Sequence, residues 1–104
     1  MARFDVHAHP VAAMRKTVPY LVDVQNDFIN GLDSRIVIPM RPASSYRARL
    51  RDLNPVFEIR GKSVVLDTAS MAAFPARELG PSIESLRGRH DEIVSAIDCL
   101  FGGF

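Results

Sequence analysis

Residues 20–40 carry two stretches of strand chemistry separated by turn chemistry, and this constrains the fold more than anything else in the chain. In Tyr20–Ile29 the side chains of Tyr20, Val22, Val24 and Asn26 share one face, while Leu21, Asp23, Gln25 and Asp27 share the other. One face is thus expected to be mostly core and the other half polar, as in an antiparallel sheet with a wet side. Asn30-Gly31 tolerates positive φ, and Arg35–Met40 follows as a run rich in β-branched residues. The two stretches predict a hairpin with its loop around Gly31–Ser34, and Pro39 is expected at a strand end or a sheet edge.

The same reasoning extends both ways along the chain. Arg3–Ala8 alternates Phe4, Val6 and Ala8 against Arg3, Asp5 and His7, the period of a half-buried strand, and His9–Lys16 reads as a loop. Pro42–Asp52 is arginine-rich with room for a short helix. Val56–Arg60 and Ser63–Thr68 predict a second hairpin around Gly61-Lys62, whereas Ala69–Phe74 is ambiguous ahead of Pro75. Near the end, Leu86, Ile93, Val94, Ile97, Leu100 and Phe101 recur at three- and four-residue spacing as one apolar stripe. Asp91 and Glu92 suit the positive end of a helix starting around Arg87–His90, and Gly102-Gly103 should stop it. The expected class is α+β: a strongly twisted antiparallel β-sheet followed by one long C-terminal helix.

Length and charge narrow the function. A chain of 104 residues is expected to form one domain, with enough buried surface for one core but not two. Thirteen Lys and Arg against twelve Asp and Glu decide against nucleic-acid binding driven by bulk electrostatics. Arg41, Arg47, Arg49 and Arg51 nevertheless fall within eleven residues, either a solvated face or a basic rim for an acidic partner segment. Cys99 is the single cysteine, so it forms no intrachain disulfide, and its apolar neighbours predict a packing role. No stretch reaches the roughly 18 apolar residues of a membrane span. A reduced cytoplasmic protein is the expectation.

No constellation reads as an active site. His7 and His9 lie two apart, but two ligands are too few for a structural zinc site, and exposed edge-strand histidines are expected. Asp23, Gln25 and Asp27 line one strand face without a nucleophile or base at a diagnostic spacing, so hydrogen bonding to a sheet edge or to an arginine is expected. There is no glycine-rich phosphate loop, no nucleophile elbow and no zinc-protease helix. No catalytic residue, metal or cofactor is expected.

Four stretches together resemble the CcdB toxins of bacterial toxin–antitoxin modules. They are Leu21-Val22-Asp23-Val24-Gln25-Asn26-Asp27, Ile36-Val37-Ile38-Pro39-Met40, Asn54-Pro55-Val56 and the C-terminal Ala96–Phe104, in the right order and spacing over nearly the whole chain. The resemblance implies a small-barrel-like sheet with a C-terminal helix, a homodimer, and a non-enzymatic poison of DNA gyrase. Such a toxin binds the gyrase A subunit, traps the gyrase–DNA cleavage complex, and is held in check by a CcdA-like antitoxin. Carried over by residue, the gyrase-binding candidates are Asn26, Phe28, Ile29, Asp98, Phe101, Gly102, Gly103 and Phe104. Leu100 is expected at or beside the dimer contact, and Arg47, Arg49 and Arg51 are the candidate antitoxin rim. The chain departs from the best-known member at Gly102, where that member has Trp, and more conservatively at Phe28, Asp98 and Phe104. Two alternatives follow from the same likeness: the MazF endoribonucleases share the fold, and an inactive relative would bind only the antitoxin.

Overall fold

In the computed structural model, which describes residues 2–29, 31–47 and 49–102, alternation and turn chemistry lay out seven strands and one helix. The strands are β1 (Asp5–Ala8), β2 (Tyr20–Asp23), β3 (Ser34–Pro42), β4 (Val56–Ile59), β5 (Lys62–Leu66), β6 (Ala72–Pro75) and β7 (Ser82–Ser85). They form one curled antiparallel sheet in the order β4-β5-β3-β2-β1-β7, with β6 beside β5 along the same side of β3. Helix α1 (His90–Phe101) follows. None of the described helices is long and apolar enough to cross a membrane.

The β2–β3 hairpin forms with Tyr20 opposite Met40 and Asp23 opposite Val37. Its first strand ends at Asp23, shorter than the alternation suggests, because Gln25 and the residues after it turn out of the sheet. Asn30 lies outside the described residues. Pro39 is neither at an end of β3 nor on an edge strand. It sits where the neighbour of β3 changes from β6, which pairs as far as Val37, to β5, which begins at Met40. The Pro39 carbonyl accepts from the Asp67 N–H at 2.9 Å on that side, so the missing proline donor falls in a gap of the ladder.

The second hairpin is displaced by one residue from the sequence expectation. Arg60 and Gly61 both have positive φ, 51° and 79°, as a two-residue primed turn requires, and Lys62 already belongs to β5. In Pro42–Asp52 the only helical segment among the described residues is the short 3-10 turn Ala43–Ser45, and a further turn starts at Arg51, closed by the Asn54 N–H on the Leu50 carbonyl at 2.7 Å.

Both faces of the sheet are covered. Val6, Tyr20, Val22, Val24, Ile38 and Met40 meet Phe57, Ile59, Val64 and Leu66 in the main core, which Ile93 and Ala96 of α1 close from above. The opposite face is drier than alternation predicts, for Val18, Leu21, Val37 and Leu79 form a second cluster with Phe74 at its margin. Two clusters therefore stand where the length suggested one core. Full burial contributes roughly 1.5–3 kcal/mol per large side chain, so the main cluster dominates.

His7 and His9 are buried, not exposed on an edge strand. His7 is 0% exposed, because β7 pairs along β1 and removes it from the edge. Its Nδ1 lies 2.8 Å from the Gly80 carbonyl, which can only accept, so Nδ1 carries the proton. His9 lies beyond the end of β1, buried edge-on against Phe74. Burial, with the charge of Arg15, lowers its pKa.

Candidate functional site

The apolar stripe of α1 outruns the sheet. Ile93 and Ala96 are fully buried, Val94, Ile97 and Leu100 are half-buried, and Phe101 in the last turn is 71% exposed. Gly102 ends the helix in the left-handed region, φ 80° and ψ 28°, and its N–H closes on the carbonyls of Asp98 and Cys99. Asp98 is exposed one turn before the cap, and Cys99 is half-buried with a free thiol. The result is an apolar helix end with a carboxylate beside it. Gly103 and Phe104 lie outside the described residues.

A second exposed apolar element follows β2. Asn26 Oδ1 accepts from the Phe28 N–H at 2.9 Å, and the Asn26 carbonyl accepts from the Ile29 N–H at 3.0 Å. This compact turn leaves Phe28 at its apex, 95% exposed, flanked by exposed Ile29 and Leu32. A side chain so apolar and so accessible is uncommon on a surface with no partner.

Buried polar groups hold the base of that turn. Arg35 donates to Asp23 from Nε at 2.7 Å and from Nη2 at 3.0 Å, and both side chains are buried. The hydrogen bonding of this strand face to an arginine is thus as the sequence suggested. Asp27 reaches the Arg3 N–H at 2.8 Å, with Arg35 at 3.6 Å and Arg87 at 3.7 Å.

The two apolar elements are anchored at different places in the fold. The 24–29 segment is tied to Arg3 and to Arg87, just before α1, whereas Phe101 stands at the far end of the helix. Twelve residues of helix span about 18 Å. Among the described residues no hydrogen bond or ion pair links Asn26, Phe28 or Ile29 to Asp98, Phe101 or Gly102.

Arg47, Arg49 and Arg51 are exposed, and Arg49 donates weakly to the Asn54 carbonyl at 3.4 Å. Asn54 is buried and stitches this segment to β5, accepting from the Leu50 N–H and donating to the Leu66 carbonyl, each at 3.0 Å. Arg49 and Arg51 line a groove of about 570 Å³ whose other wall is the start of α1, with Asp91, Glu92 and Ser95. Arg89 in the same groove stacks 4.1 Å from the Phe57 ring and is paired to Glu92, which lowers the Glu92 pKa. The rim is therefore mixed in charge rather than simply basic. The acidic wall was not legible as a partner of the arginines, because some forty residues of chain separate the two.

The family model of the CcdB protein matches residues 3–103. The chain belongs to the CcdB family. Membership makes it a toxin of the toxin–antitoxin kind, from a family of non-enzymatic toxins, and implies an antitoxin as partner. The match runs through β2, the Phe28 turn, β3 and α1, so both exposed apolar elements belong to the CcdB-like part of the chain.

Proposed function

We propose that this CcdB-family toxin acts as a homodimer on DNA gyrase, binding the A subunit and trapping the gyrase–DNA cleavage complex. The bond-breaking chemistry belongs to gyrase. The toxin supplies only a higher affinity for one conformation, which suffices to shift a population. The observation that carries the reading is the pair of unpartnered apolar elements, Phe28 with Ile29 and Phe101 beside the Gly102 cap, at positions that the family resemblance assigns to gyrase. Leu100, half-buried on the open end of the helix stripe, is the proposed dimer contact.

The antitoxin contact is proposed at Arg47, Arg49 and Arg51. Because the opposite wall is acidic, the segment that fits carries a basic side chain as well as acidic ones. Folding on binding would let such a segment wrap the toxin while staying open to proteolysis when free.

The test is induced expression in a gyrase-sensitive bacterium with and without a resistant gyrase A. Alongside it, the wild-type chain and one lacking Gly103 and Phe104, with the helix cap kept, are titrated against a gyrase A fragment. Toxicity relieved by resistant gyrase, with binding lost on truncation, supports the reading. Growth arrest that ignores the gyrase allele, with RNA cleaved by the purified protein, replaces it with a nuclease.

A further inference from the structure

The side chain of Gln25 is buried immediately before the Phe28 turn, and all its polar atoms are used. Its Nε2 donates to the Ile29 carbonyl at 3.1 Å, and its Oε1 accepts from the Ile36 N–H on β3 at 3.0 Å. This assignment is forced, since the carbonyl can only accept and the amide can only donate. The Gln25 backbone is held as well: its N–H donates to Asp23 Oδ1 at 3.0 Å and its carbonyl takes a 3.4 Å contact from Arg35. One side chain thus bridges the central strand to the far end of a turn whose apex is Phe28.

We propose that Gln25 is a positioning residue, whose amide fixes the Asn26–Ile29 turn so that Phe28 is presented, already ordered, to an apolar pocket on a protein partner. An exposed aromatic on a loose loop loses conformational freedom when it docks, whereas one on a fixed turn has lost it on folding, which leaves more of the contact energy for affinity. The partner in this inference is the gyrase A subunit, so that part rests on the proposed function. The ordering itself does not.

The experiment compares wild type, Gln25→Glu, Phe28→Ala and the double variant. Gln25→Glu keeps an acceptor for Ile36 and removes the donor to Ile29. Gln25→Met, which puts no charge in the core, carries the same test if the glutamate variant does not fold. Backbone order parameters from ¹⁵N relaxation are read at Phe28 and Ile29, where rigid backbone gives about 0.85 and flexible backbone less than about 0.6. We expect wild type near the rigid value, Gln25→Glu near the flexible one, and the β2 and β3 amides unchanged. Affinity for a gyrase A fragment should fall about tenfold in Gln25→Glu, and not fall further when Gln25→Glu is added to Phe28→Ala. Unchanged order parameters, or losses that multiply in the double variant, overturn the positioning role. If wild type does not bind gyrase A at all, the proposed function fails, and the order parameters alone decide whether Gln25 sets the turn.

Discussion

Arg35 holds Asp23 in a two-point grip, 2.7 Å from Nε to one carboxylate oxygen and 3.0 Å from Nη2 to the other, with both side chains buried. Removing the cation alone strands a carboxylate away from water. Breaking such a pair costs about 3–5 kcal/mol, whereas replacing both members with apolar groups of similar volume is close to neutral. We therefore expect Arg35→Met to lower the urea midpoint by that equivalent, and Asp23→Leu with Arg35→Met to recover only part of the loss, because the buried Gln25 N–H then lacks the Asp23 Oδ1 acceptor. A single variant costing less than about 1 kcal/mol would show that water reaches the carboxylate.

Acid should weaken the fold through Asp67. Burial pushes its carboxyl up, but hydrogen bonds from Arg41, Ser70 and Tyr46 and the Arg41 charge together bring it below its ordinary value of 3.8. The unfolded chain then takes up the proton at higher pH than the native one. This stabilisation is complete above the unfolded value and is lost as pH falls through the lower native value. The stability gap between wild type and Asp67→Asn should be widest near pH 6 and narrow steadily below pH 4. A gap constant down to pH 3 would mean that the Arg41 contact, 2.7 Å long and half open to solvent, contributes nothing through charge.

The hairpins, the helix and its stop were legible because each rests on local chemistry: alternation, β-branching, and glycine where φ is positive. The second turn shows the limit of such reading. Gly61-Lys62 was the natural choice, yet the turn is Arg60-Gly61, because the register that buries Phe57 and Val64 together places Arg60 at a left-handed position. Strand β7, Ser82–Ser85, carries no alternation signal and was not anticipated. With it went the burial of His7, which depends on β7 covering β1. The assignment of Phe28 and Phe101 to the proposed site came from the family resemblance, whereas Gln25, Arg35 and the acidic wall of the groove act through tertiary contacts that spacing along the chain does not reveal.

The strained turn offers a direct check. Arg60 occupies φ 51°, where asparagine is far better tolerated than a long side chain, and Asn-Gly is the preferred pair for this turn. Arg60→Asn should raise stability by about 0.5–1 kcal/mol, read as a higher thermal midpoint with an unchanged denaturant slope. Arg60 is exposed and outside every proposed contact, so affinity for gyrase A should not change.

Assembly can be tested at Leu100. If the open helix end meets a second copy, Leu100→Lys buries an unpaired ammonium there and should shift a micromolar dimer to monomer in sedimentation. Urea unfolding, extrapolated to low protein concentration, should move little, because Leu100 is only half-buried in its own subunit. A wild-type chain that sediments as a monomer at that concentration overturns the dimer.

Gly102 decides how much a larger side chain could add at the helix end. Among the described residues a Cβ there would meet nothing within 4 Å, but φ of +80° is unfavourable to any L side chain. A non-glycine residue in that conformation costs roughly 1–2 kcal/mol, either as strain or as a frayed last turn. A tryptophan buried at an interface is worth about 2 kcal/mol or more, roughly thirtyfold in affinity. If the last turn frays in the free protein, re-forming it on binding subtracts from the gain, so a comparison of Gly102→Trp with wild type alone would mislead. Gly102→Ala carries the backbone cost without the ring and is the proper reference. We expect Gly102→Ala and Gly102→Trp to lose similar thermal stability, about 1 kcal/mol each, and the tryptophan variant to bind a gyrase A fragment roughly thirtyfold more tightly than the alanine variant. Against wild type its gain should be only severalfold. Equal affinity of the two variants would place position 102 outside the gyrase contact and remove the helix end from the proposed site.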